Sequence, residues 1–270
     1  MSRIDSAFFE IGSLDTLAVL DTPLHRLDPR AKVITTLVFI LCVVSFEKYQ
    51  LSALLPFFIF PLVLVGSGRL PGIFLLKKLL LIAPFAFFIG IFNPFFDREI
   101  LFYLGSVGIS GGWVSFASIL LRFTLTVSAT LILIATTGFS GVCIALEKIG
   151  APRVFTIQLL FLYRYLFVLV DEAQRLVRAR ALRSFKGRGT GMAVFGQIVG
   201  QLLLRTIDRA QRIHLAMRCR GFTGEIRQLR KIHFGHAELL FTLGWSGLFV
   251  ALRCWNLPEM LGAFLLELAR

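Results

Sequence analysis

The chain has 270 residues, 56% of them hydrophobic, 28 of them phenylalanine, with a mean hydropathy of +0.78. That is too apolar for a soluble domain of this size and selects an all-α, polytopic helical membrane protein, because backbone inside a bilayer must satisfy its own hydrogen bonds. The net charge of +13 is carried between apolar segments rather than on a separate soluble domain, so an anionic leaflet or an acidic protein is the expected partner and nucleic acid is not.

Met1 to Lys32 holds five acidic residues and no leading apolar core, so no cleavable signal peptide is expected there. Apolar runs follow at Val33–Phe46, Leu51–Val65, Leu79–Phe92, Trp113–Thr137, Val154–Val170, Ala237–Leu252 and Leu257–Ala269. A span takes about 20 residues, so the shorter runs must tilt or borrow polar flanks, and about four to six membrane helices are expected. Lys and Arg number four before the first run, one in Glu47–Gln50, three in Gly66–Lys78, one in Asn93–Gly112, two in Gly138–Arg153 and fourteen in Asp171–His236. This alternation predicts a cytoplasmic N-terminus and a cytoplasmic basic segment 171–236.

Four spans return the chain to the cytoplasm by Gly138, so Val154–Val170 is not expected to be a simple crossing. Its "LYRYLF", with Arg164 between two tyrosines, has the pattern of an interfacial helix, entered after Pro152 and running on to about Phe185. From Ala193 to Arg220 a second amphipathic helix is predicted. Arg205, Asp208, Arg209 and Arg212 share one face, and Leu203, Ala210, Ile213 and Met217 lie on another. The expected organisation is therefore residues 1–153 as an N-terminal segment and four-span membrane region, 154–236 as amphipathic and cytoplasmic helices, and 237–270 as C-terminal membrane helices. Cys42, Cys143, Cys219 and Cys254 form no CxxC pair and are expected to be buried free thiols.

The two amphipathic helices end on one pattern. Arg183-Ser184-Phe185 and Arg220-Gly221-Phe222 each place an arginine before a very small residue and a phenylalanine, 37 positions apart. Gly187 and Gly221 suit helix termination, and arginine in a last turn complements the helix dipole, so two solvated basic helix ends are one account. Repetition favours another. A planar guanidinium pairs bidentately with carboxylate, a small neighbour allows close backbone approach, and phenylalanine anchors in an apolar groove. Presented twice, this is a plug for two equivalent grooves, such as those of a two-fold ATPase dimer.

Leu182-Arg183-Ser184 and Cys219-Arg220-Gly221 resemble the X-Arg-small signatures of the transmembrane T component of energy-coupling factor (ECF) transporters, although alanine is the commoner residue before the arginine. "LHRLDPRAK" (Leu24–Lys32), "NPFFDRE" (Asn93–Glu99) and "AMRCRGF" (Ala216–Phe222) are similar to the CbiQ-like cobalt and nickel branch. The resemblance implies coupling helices that dock into two ABC-type ATPase subunits, and a separate metal-specific membrane subunit that binds the substrate. It implies no cofactor on this chain.

Other chemistry is thinly represented. His233 and His236 form HxxH, but Gly235 weakens a helix between them and no acid or cysteine completes a ligand set, so no metal site is assigned. Arg122, in "ILLRFTLTVSAT", is an intramembrane charge and hence a functional candidate; a snorkelling or paired residue near a helix end is the alternative. There is no GxxxxGK[ST], HExxH or GxSxG, so no ATPase or other enzyme activity is expected. A membrane enzyme acting on a lipid phosphate is the rival class, and the apolar runs lack the acids it needs. A T component serving a vitamin-binding subunit is the alternative within the transport class.

Overall fold

The computed structural model describes residues 15–96, 100–104, 107–183, 191–222 and 235–255. Its elements are α1 (Pro23–Arg26), α2 (Pro29–Val44), a 3-10 helix (Ser52–Phe58) leading into α3 (Ile59–Gly68), α4 (Gly72–Gly90), α5 (Asn93–Phe96), β1 (Ile100–Leu104), β2 (Val107–Ser110), α6 (Gly111–Ile149), α7 (Arg153–Arg183), α8 (Met192–Cys219) and α9 (His236–Cys254). The protein is an all-α polytopic membrane protein with one small antiparallel hairpin among the described residues. Among the described residues, five stretches are long and apolar enough to cross a membrane: Leu51–Gly68, α4, α6, α7 and α9. α2, at 16 residues, is shorter than these. The run Leu257–Ala269 lies outside the described residues.

Two compact units divide the chain, Met1–Ala145 with Ile232–Arg270, and Leu146–Lys231. In the first, "LDPR" starts α2 by ordinary capping chemistry. The buried Asp28 carboxylate accepts the Arg30 amide at 2.8 Å, and Pro29 supplies the fixed φ of a first helical residue. α2 packs on α9, although the two lie near opposite ends of the sequence. Their joint is aromatic: Phe39 meets Phe60 at 4.7 Å and Phe249 at 5.1 Å between ring centroids, and Phe60 meets Trp245 edge-on at 5.0 Å. Much of the phenylalanine content of this core is therefore internal glue, where edge-to-face pairs add to simple burial.

Three boundaries differ from the sequence expectation. α4 starts at Gly72, so Lys77 and Lys78 sit inside a helix rather than in the preceding link; lysine is a good helix former, and Lys78 lies 5.5 Å from the Phe74 ring. α6 continues to Ile149, past a break at Gly138, so most of Gly138–Arg153 is helical rather than a loop. Asn93–Gly112 contains β1 and β2, paired Leu104 to Val107. "ILFYL" followed by Gly105-Ser106 is a bulky apolar run and a hairpin turn pair, a signal that a search for helical spans passes over.

The break in α6 is built by three chain segments. Gly138 has φ 70° and ψ 158°, a conformation open essentially to glycine alone. The first amide after it, Phe139 N–H, donates to Asp15 Oδ1 at 3.1 Å. The Thr136 carbonyl, just before it, accepts Lys32 Nζ at 3.0 Å. Lys32 is almost wholly buried, so its ammonium is held by backbone carbonyls, that of His25 included at 3.4 Å.

Candidate functional site

α7 and α8 both belong to the second unit. The chain turns into α7 through Gly150-Ala151-Pro152, where the Ala151 amide bonds back to Leu146 O at 2.9 Å and the Pro152 carbonyl accepts the Phe155 amide at 3.0 Å. Pro152 thus marks the start, as its sequence position implies. No glycine or proline interrupts the next 31 residues, and α7 runs unbroken to Arg183. Its N-terminal part, expected to lie at an interface, is also apolar and long enough for a crossing.

α8 ends in a Schellman motif. Gly221 takes φ 78°, its amide bonds to Arg218 O at 3.0 Å, and the Phe222 amide bonds to Met217 O at 3.0 Å. This is the physical use of the small residue after Arg220: a side chain with a Cβ resists the left-handed turn. The motif also turns Phe222 back onto the helix. Phe222 and Met217 line the same cleft between α7 and α8, so this phenylalanine lies against its own chain, not outward as a free anchor.

Arg183 occupies the last turn of α7, and Arg220 caps α8. Both are exposed, as are Leu182, Cys219 and Gly221. Neither guanidinium has a hydrogen bond or ion pair with another described residue, which leaves two planar forks available to an external carboxylate. Ser184, Phe185 and Gly187 lie outside the described residues. The arginines of the amphipathic face sit differently. Arg205 is ion-paired with Glu172 of α7, and Arg209 and Arg212 line a smaller cavity beside the α7–α8 cleft.

Arg122 lies in the first unit. Its Nη2 donates to the Glu47 carbonyl at 2.6 Å, in the link that follows α2. Arg253 of α9 grips the same link: Nε reaches Ser45 Oγ at 3.2 Å, Nη2 reaches Ser45 O at 3.1 Å, and the guanidinium lies 4.7 Å from the Phe46 ring. Arg253 thus meets the carbonyl of the residue that caps α2, at the negative end of that helix, and Arg122 meets one two residues further on. Sequence reasoning weighed Arg122 alone; Arg253 and Lys32 were missed because the Ser45 and Thr136 carbonyls that they bond are more than 100 residues distant in the chain.

His25 accepts or donates to Thr22 Oγ1 through Nδ1 at 2.6 Å, and its Nε2 is buried without a partner. Burial, then the neighbouring Lys32, holds its pKa below the ordinary 6.5. His236 is the first residue of α9, and the Glu238 carboxylate accepts the Gly235 amide at 3.0 Å, so Gly235 starts the helix rather than interrupting it. His233 lies outside the described residues. No group of three His, Cys, Asp or Glu gathers among the described residues. The cysteines are free, but only Cys143 is buried; Cys42 is half-buried, and Cys219 and Cys254 are exposed because their helix ends face outward.

A family model described as "CbiQ: Cobalt transport protein" matches residues 21–232. The chain is 29% identical to the energy-coupling factor transporter transmembrane protein EcfT of Listeria innocua, over 74% of this chain and 81% of that protein. The EcfT protein of Bacillus subtilis is 28% identical over 74% of this chain and 80% of its own length. An uncharacterised protein of the archaeon Methanocaldococcus jannaschii is 25% identical over 82% of this chain and 78% of that protein.

Proposed function

The chain belongs to the CbiQ family of cobalt transport proteins, and on that premise we propose that it is the T component of an ECF-type importer, coupling ATP hydrolysis by two ABC-type ATPase subunits to cobalt or nickel uptake through a separate substrate-binding membrane subunit. The observation that carries this reading is the pair Arg183 and Arg220: both exposed, both at the ends of long helices, and both with side chains that meet no partner among the described residues. With 31 and 28 residues, α7 and α8 are about 46 and 42 Å long at about 1.5 Å per residue, enough to link a cytoplasmic ATPase to the membrane region. Fourteen Lys and Arg in Asp171–His236 support a cytoplasmic location for both ends, with the N-terminus on the same side of a bacterial inner membrane.

Closure of the ATPase dimer on ATP moves the two docked ends relative to each other, and the stiff helices carry that displacement to the membrane part. The outer face of α4, with Leu76, Leu80, Leu81, Phe85 and Phe88 exposed, is an apolar surface suited to lipid or to the substrate-binding subunit. Selectivity for the metal resides in that subunit. A vitamin-binding subunit is the second reading, favoured by relatives whose names carry the energy-coupling role and no metal.

Losing one charge-assisted contact across a partly buried interface costs roughly 2–5 kcal/mol, or on the order of 30-fold or more in affinity. Arg183→Ala and Arg220→Ala should each weaken uptake and ATPase co-purification strongly, and the double variant should release the ATPases; lysine should rescue poorly. Arg175→Ala, exposed on α7, controls for general charge. Equal losses in the control would show the basic segment acting as a charged surface and sink the two-plug reading.

A further inference from the structure

The cleft between α7 and α8 has about 480 Å³ of space, within the roughly 300–1,000 Å³ range of sites for organic ligands. Its walls are mostly apolar, with Phe161, Leu162 and Val168 from α7, Ile213 and Met217 from α8, and Phe222 folded over one end. A second cavity of about 220 Å³ adjoins it, and the two share Leu169, Thr206 and Arg209 as lining. The smaller cavity is charged. It carries Arg205, Arg209 and Arg212 against Glu172 and Asp208, and Glu172 is taken up by Arg205. The guanidinium groups of Arg209 and Arg212, one turn apart on α8, have no hydrogen bond or ion pair with another described residue.

We propose that this cleft binds an anionic phospholipid, its acyl chain in the apolar part and its phosphate held by Arg209 and Arg212. The charges match: three arginines against two carboxylates leave one positive charge for one phosphodiester. Guanidinium forks suit phosphate oxygens, and basic clusters on amphipathic helices at the cytoplasmic leaflet are established sites for anionic headgroups. Neither half of the site suffices alone. An apolar cleft without the arginines would take any lipid, and arginines without the cleft would take any anion. The ligand also touches a turn that matters, because Phe222 closes the cleft two residues after Arg220. Occupancy therefore steadies the C-terminal turn of α8. This site stands independently of how Arg183 and Arg220 engage a partner.

The test is lipid binding to the full chain purified in a neutral maltoside detergent, by native mass spectrometry and by thermal shift. The probes are dioleoylphosphatidylglycerol, dioleoylphosphatidylcholine and inorganic phosphate. The expected result is saturable phosphatidylglycerol binding with a raised melting temperature, and no comparable effect of the other two. The Arg209→Gln/Arg212→Gln double variant should bind phosphatidylglycerol on the order of 10-fold or more weaker, since it loses charge-assisted hydrogen bonds. Ile213→Trp, which fills the cleft and keeps the charge, should block binding too. Both variants should melt like the wild type without lipid. Equal binding of phosphatidylcholine, wild-type affinity in the double variant, or a full shift with phosphate alone would each overturn the proposal. So would a cleft that takes no lipid while Ile213→Trp loses the substrate-binding subunit on purification, which would assign the cleft to that protein.

Discussion

Replacing Gly138 with alanine perturbs the one point in α6 where the backbone leaves helical geometry. A Cβ there would meet Asp15 Oδ1 at 3.1 Å and the Ala18 Cβ at 3.4 Å, and the φ of 70° is unfavourable for any residue with a side chain. The backbone strain costs about 1–3 kcal/mol. Displacing Asp15 removes the cap on the Phe139 amide, for a further 0.5–2 kcal/mol or so. A total of roughly 1.5–5 kcal/mol should lower the melting temperature by about 3–20 °C in a chain of this size. Thermal unfolding of the detergent-purified protein, followed by tryptophan fluorescence, measures it. Gly196→Ala is the matched control, because Gly196 lies inside α8 with nothing within 4 Å of the added Cβ, and helix propensity alone should leave stability unchanged or slightly raised. Asp15→Ala combined with Gly138→Ala should cost less than the sum of the two, since the collision and the cap share one carboxylate. A Gly138→Ala protein that melts with the wild type would refute the strained-break account of α6.

Two further outcomes are expected. The folded-state pKa of His25 lies below its unfolded value near 6.5, so the unfolded chain takes up the proton first; stability is full above that pH and falls as pH drops through and below it. Melting temperatures from pH 7.5 to 5 should therefore decline in the wild type, with a shallower slope in His25→Gln, and parallel slopes would remove His25 as the cause. Maleimide labelling should modify exposed Cys219 quickly and buried Cys143 last in detergent. In intact cells an impermeant maleimide should miss Cys219 while a permeant one reaches it, and strong labelling by the impermeant reagent would invert the topology.

Class, family and the two basic helix ends were legible in the residues because each depends on local quantities. Apolar runs of span length exclude a soluble fold, arginine followed by a small residue recurs at the ends of two amphipathic stretches, and an uninterrupted sequence after Pro152 predicts one long helix, which α7 is. Gly221 was recognisable as a terminator for the same reason, since a Schellman turn is written within six residues. Tertiary structure decided whatever joins distant segments through backbone atoms. Lys32 is buried only because α6 breaks 106 positions later and offers the Thr136 carbonyl, and Arg253 has a role only because α9 returns to the end of α2. Phe222, which the sequence presents as an anchor for a partner, is drawn into the cleft between α7 and α8 once Gly221 reverses the chain. Side-chain type and spacing set which helices form, but a carbonyl is available at every position, so only folding selects the one a buried charge will use.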